Sequence, residues 1–121
     1  MGTIRLKRAY EPADLTDGRR ILVDRLWPRG LAKAEARIDQ WMREVAPNPE
    51  LRKWFGHQPD RFPEFRRRYE EELRSDPVHR RCVEEILHAA ERETVTLVYA
   101  AKDEVHNHAV VLLDCLYHWR E

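Results

Sequence analysis

Thr94-Val95-Thr96-Leu97-Val98-Tyr99-Ala100-Ala101 is an almost unbroken apolar and β-branched run. A strand covered on both faces reads this way, whereas a half-solvated strand alternates, so the run predicts the centre of a parallel sheet. Lys102-Asp103 closes it, and Val105, Ala109, Leu112, Leu116 and Trp119 then fall on one helical stripe with Asp103 as its N-cap. Two more strands are expected upstream. Thr3 to Arg8 alternates polar and apolar, and Arg20-Ile21-Leu22-Val23-Asp24 is a short run with β-branched members.

The segments between read as helices. From about Lys33, the residues Ala34, Ile38, Trp41, Met42 and Val45 lie three and four apart, predicting a helix that Pro47 and Pro49 end. A short helix is expected from Pro49 to Trp54, stopped by Gly56. A third follows Asp60 as N-cap and turns Phe62, Phe65, Tyr69 and Leu73 inward; a fourth starts at Asp76-Pro77 and buries Val78, Cys82, Val83, Ile86, Leu87 and Ala90. Alternating strands and helices predict an α/β fold, a small and mainly parallel sheet of three to four strands covered by about five helices, as one domain over 1–121. The first strand's direction stays open, because about ten residues is near the minimum for a parallel crossover.

Composition narrows the function. The 121 residues hold 22 basic and 22 acidic side chains, for a formal net charge of zero. A hydrophobic content of 42% supports one packed core, which excludes intrinsic disorder. No run approaches the ~20 apolar residues of a spanning helix. The start has no apolar leader, and Cys82 and Cys115 are too few for a disulfide framework, so reduced thiols and a cytoplasmic location are expected. Four of the 22 basic residues are lysine, which leaves eighteen arginines, the side chain suited to carboxylate and phosphate. Net neutrality argues against a general nucleic-acid coat.

In open α/β sheets, ligands bind beyond the carboxyl ends of the strands. If Ile21–Asp24 and Thr94–Ala101 are parallel neighbours, Asp24, Arg25, Arg29, Lys102 and Asp103 converge at one edge. Arg25, Arg29 and Lys102 would hold an anion beside the N-terminus of the last helix. Trp27, Pro28, Gly30, Trp54 and Asn107 would shape the site. His57, fixed between Trp54-Phe55-Gly56 and Pro59, or His108 would transfer a proton, with Asp24 or Asp103 orienting it. His106-Asn107-His108 does not chelate by itself, since helical residues i and i+2 point apart, and His108 lies nearer the buried stripe. No CxxC or HExxH occurs, so neither a bound metal nor a cofactor is expected. Ser75 is the sole serine and both cysteines fall mid-helix, which leaves acid–base chemistry as the one drawable mechanism. Arg66-Arg67-Arg68 before Glu70-Glu71-Glu72 reads as a self-neutralised solvated face.

Val23-Asp24-Arg25-Leu26-Trp27-Pro28-Arg29-Gly30, Leu51-Arg52-Lys53-Trp54-Phe55-Gly56-His57 and Tyr99-Ala100-Ala101-Lys102-Asp103 with Asn107-His108-Ala109 together resemble the bacterial YeaO-like branch of domain-of-unknown-function family 488. The resemblance covers essentially the whole chain; Gln58 and Phe62 depart from the more usual acidic and Trp choices. It implies a small α/β protein of bacterial type and marks the same residues, but it implies no activity. Two readings follow. One is a domain that binds a small anionic ligand, phosphorylated or nucleotide-like, with metal-free hydrolase or transferase chemistry as its catalytic form. The alternative is a non-catalytic module that docks a protein or nucleic acid on Trp27 and Trp54-Phe55. Oligomeric state is not legible.

Overall fold

The computed structural model describes residues 3–120. Its four strands, β1 (Ile4–Arg8), β2 (Arg19–Leu22), β3 (Gln40–Trp41) and β4 (Val95–Tyr99), form one sheet in the order β1-β4-β2-β3. All three pairings are parallel, which settles the direction of the first strand. β4 lies centrally with all five residues buried, as its unbroken apolar composition requires. Five helices accompany the sheet: α1 (Lys33–Ala36), α2 (Pro49–Phe55), α3 (Phe62–Ser75), α4 (Pro77–Ala90) and α5 (His108–Tyr117).

The two faces of the sheet differ. Ile4, Ile21, Val95, Leu97 and Tyr99 pack with Phe65, Tyr69, Leu73, Val83, Ile86, Leu112 and Leu116 from α3, α4 and α5 in the main core. On the other face a small cluster of Ala9, Leu22 and Val98 is covered by Trp27, Leu31, Ile38 and Trp41. At the amino ends of the strands, Asp17 is buried against Arg20 at 2.6 Å and Lys7 at 3.1 Å. Burial opposes the Asp17 charge, but the Asp14 amide, Lys7 and Arg20 outweigh it and hold the carboxyl below its usual range.

Several sequence expectations are corrected. The helix expected from Lys33 to Val45 is only α1, followed by β3 and a 3₁₀ turn at Arg43–Val45. Arg37 ends α1 in the left-handed region at φ +48°. Asp39 then exchanges hydrogen bonds with the Arg20 backbone, at 2.9 Å through its own amide and 2.8 Å through its carboxylate, and draws the chain alongside β2. Asp60 is not an N-cap; it sits in the 3₁₀ turn Pro59–Arg61 that runs directly into α3. Asp103 does not cap α5, because Asn107 does, so Val105 stands outside the helix and is 64% exposed. The Arg–Glu face is also partly rearranged. Arg66 and Arg67 reach Glu70 and Glu71, but Arg68 pairs back to Glu64, and Glu72 turns toward Asn48 and His79. Val78 is exposed, and Leu87 is half-buried. No helix among the described residues is long and apolar enough to cross a membrane.

Candidate functional site

Because β2 and β4 are parallel neighbours, the segments after them leave the sheet at the same end. Asp24 Oδ2 accepts the Ala100 backbone N–H at 3.0 Å and joins the two strand ends. Two indole N–H groups fix the loop that follows β2: Trp41 donates to the Asp24 carbonyl and Trp27 to the Leu31 carbonyl, each at 2.7 Å. The two rings meet edge to face with centroids 5.6 Å apart. The Tyr10 hydroxyl adds a 2.8 Å bond to the Arg29 carbonyl. Gly30, at φ +76°, supplies the left-handed residue that turns this loop.

A cleft of about 610 Å³ opens at these strand ends. Asp24, Arg25, Trp27, Pro28, Arg29, His57, Lys102, Asp103, Asn107 and His108 all line it. Gly30 and Trp54 do not; Trp54 lies outside, with the Arg68 and Arg61 guanidinium groups 4.5 and 5.6 Å from its ring. The lining is graded by depth. Pro28, Ala46, Pro47, Phe55 and Phe65 are buried, whereas Arg29, Arg52 and Lys102 are exposed. Arg52 was not picked out from the sequence, although it stands one helical turn before Gly56-His57. Tyr10, Phe55 and Phe65 were likewise missed as lining residues.

The histidines hold different positions. His108 opens α5, and its Nε2–H donates to the Val23 carbonyl at 3.0 Å while lying 3.2 Å from Asp24 Oδ1. That oxygen is buried and accepts no hydrogen bond, since the one nearby hydrogen is directed at Val23. With Nε2 donating to Val23, Nδ1 is the ring nitrogen that has no partner among the described residues. His57 follows Gly56 in the left-handed region, at φ +58° after +52°, and its ring lies 6.2 Å from that of Phe55.

Other predicted residues are occupied structurally. Arg25 does not project free donors alone; its Nε and Nη2 donate to the Pro47 and Ala46 carbonyls at 3.3 and 3.1 Å. The Ala46 carbonyl also accepts from His79 Nε2 at 2.9 Å, and His79 Nδ1 meets Asp76 Oδ2 at 2.6 Å. Asp103 accepts the His106 and Val105 amides and the His106 ring, each at 2.9 Å. The His106 amide, then the Val105 amide and the His106 ring, lower its carboxyl to about 2. Asp103 therefore braces the loop before α5. Asn107 accepts from Val110 N at 2.9 Å and donates to the Asp103 carbonyl at 2.8 Å. The remaining cations of the cleft are Arg29, Arg52 and Lys102, whose side chains make no hydrogen bond or ion pair among the described residues. No group of three or more His, Cys, Asp or Glu placed to hold a metal occurs among those residues.

Residues 3–120 match the family DUF488-N3i, described as the inactive DUF488-N3 subclade. The chain belongs to this family. Its relatives include the uncharacterised protein YeaO of Escherichia coli, 42% identical over 113 residues, which cover 93% of this chain and 96% of that protein. Uncharacterised proteins of Mycobacterium tuberculosis and Mycobacterium bovis are also 42% identical over 113 residues, covering 93% of this chain and 92% of each relative. No solved structure matches the chain. Membership in DUF488-N3i agrees with the resemblance carried by the Val23–Gly30, Leu51–His57 and Tyr99–Ala109 blocks.

Proposed function

We propose that this DUF488-N3i domain binds a small anionic ligand in the strand-end cleft and does not turn it over. The observation that carries the reading is the group of three cations, Arg29, Arg52 and Lys102, lining one cleft without a partner among the described residues. In a chain of zero net charge whose other arginines largely engage acids, carbonyls or aromatic rings, this local excess favours an anion. The absence of turnover is supported by the family's description as inactive. It is also supported by the bracing role of Asp103, whose carboxylate is engaged by the Val105 and His106 amides and the His106 ring.

The docking alternative has weaker support. Phe55 is buried in the cleft floor, Trp27 is half-buried in its wall, and Trp54 lies beneath two arginines. An interface would present such rings on a flat or convex surface. The test is thermal stabilisation and calorimetric titration with a panel of phosphates, nucleotides and carboxylates, on the native chain and an Arg29→Gln, Arg52→Gln, Lys102→Gln variant. Stabilisation confined to the native chain is expected. A panel that stabilises neither protein, or both equally, removes the reading.

A further inference from the structure

We propose that the ligand is a nucleoside phosphate, seated base first with its phosphate at the rim. This rests on the anion-binding reading and assigns the chemistry of the ligand's other end. Three observations lead to it. First, the cleft of about 610 Å³ falls in the range of roughly 300–1,000 Å³ that holds drug-sized ligands, far more than a bare oxyanion fills. Second, the gradation with depth fixes an orientation. Phe55, Phe65, Pro28 and Pro47 are buried and offer an apolar, ring-lined floor, while Arg29, Arg52 and Lys102 are exposed. A ligand matched to both is apolar and flat at its inner end and anionic at its outer end. A charge driven inward would instead lose its hydration against aromatic rings.

The third observation separates a nucleobase from a plain aromatic ring. Half-buried His108 and Asp24 line the same cleft. With Nε2 donating to Val23, His108 presents Nδ1 as the ring nitrogen without a partner among the described residues. Asp24 holds the Ala100 amide through Oδ2, and its Oδ1 is buried beside His108 Nε2 at 3.2 Å, so Nδ1 is the atom left to a ligand. An N–H on the inner end of the ligand supplies a donor to that nitrogen, and nucleobases carry ring or exocyclic N–H groups. A hydrocarbon ring leaves it unpaired.

The experiment titrates the full chain calorimetrically with the four common nucleoside 5′-monophosphates, their nucleosides, inorganic phosphate and phenyl phosphate. At least one monophosphate is expected to bind tenfold or more tightly than phosphate, phenyl phosphate or its own nucleoside. Arg52→Gln with Lys102→Gln should weaken monophosphate and phenyl phosphate alike. His108→Phe should lower the monophosphate to the level of phenyl phosphate and leave phenyl phosphate unchanged; His108→Leu provides the same comparison if that variant fails to fold. Phosphate binding as tightly as every monophosphate overturns the proposal but leaves the anion site standing. Phenyl phosphate matching the best monophosphate also overturns it, because the His108 nitrogen then selects nothing. No binding by any phosphate, when other anions still stabilise the chain, sinks this proposal alone; silence from every anion sinks both.

Discussion

Asp24 and Ala100 are joined by a 3.0 Å hydrogen bond from the Ala100 amide to Asp24 Oδ2, which ties the residues beyond β2 to the end of β4. The sheet ladder does not itself make this link, so the side chain sets the spacing of the cleft floor. Asp24→Ala leaves a half-buried amide without its acceptor, and the expected loss is about 1–3 kcal/mol. Asp24→Asn retains an acceptor oxygen, so its loss should be smaller, under about 1 kcal/mol. Urea denaturation of both variants measures the difference; equal losses would mean that charge, and not the acceptor, is what matters here.

Gly18 and Gly30 both adopt positive φ, +64° and +76°, but their surroundings differ. A Cβ at Gly18 would stand 2.2 Å from the Thr94 carbonyl oxygen, a backbone atom at the start of the central strand. A Cβ at Gly30 would meet nothing within 4 Å. Gly18→Ala is therefore expected to lose on the order of 3 kcal/mol from overpacking and backbone strain together. Gly30→Ala should lose roughly 1 kcal/mol from its conformation alone. Thermal and urea midpoints of the two variants test the ranking.

The apolar runs marked β2 and β4 as buried strands, but their pairing was a condition that only the fold supplies, since burial does not say which strand lies beside which. That placement brought Asp24, Arg25, Arg29, Lys102 and Asp103 to one cleft, as the strand-end argument required. The Lys33–Val45 stripe misled for a physical reason. Ile38 and Trp41 pack on one face of the sheet with Leu22 and Val98, whereas Met42 and Val45 belong to the opposite core. Helical spacing cannot distinguish one buried stripe from residues divided between two faces. Arg25 shows a different limit. A guanidinium suited to phosphate is equally suited to two main-chain carbonyls, and only the fold brings Ala46 and Pro47 to it.

Asp103 gives the loop before α5 a measurable acid sensitivity. Its folded carboxyl, held to about 2 by the His106 amide, the Val105 amide and the His106 ring, lies below the ordinary value of 3.8. The unfolded chain therefore takes up this proton first as pH falls. The stabilisation is complete above about pH 4 and is lost as pH falls through the folded value, so stability should decline over that window. Asp103→Asn keeps an oxygen for the two amides and removes the ionisation. Urea midpoints measured at pH 5, 4 and 3 should fall less steeply for this variant than for the native chain. Parallel slopes would show that the carboxylate adds nothing to the loop.

His57 occupies a left-handed conformation at φ +58°, directly after Gly56 at +52°. For an L-residue that region costs roughly 1–2 kcal/mol, and glycine would occupy it freely. The side chain accepts no compensating hydrogen bond among the described residues; its recorded contact is the Phe55 ring at 6.2 Å. On the proposed reading, a strained residue that lines the cleft and contributes little to packing is a ligand contact. His57→Gly should accordingly raise stability by about 0.5–1 kcal/mol, part of the relief being offset by the greater freedom of glycine in the unfolded chain. The same substitution should weaken ligand binding severalfold. Denaturation and calorimetric titration of the one variant separate the two effects: a gain in stability with unchanged affinity would show that the strain serves the turn and not the site.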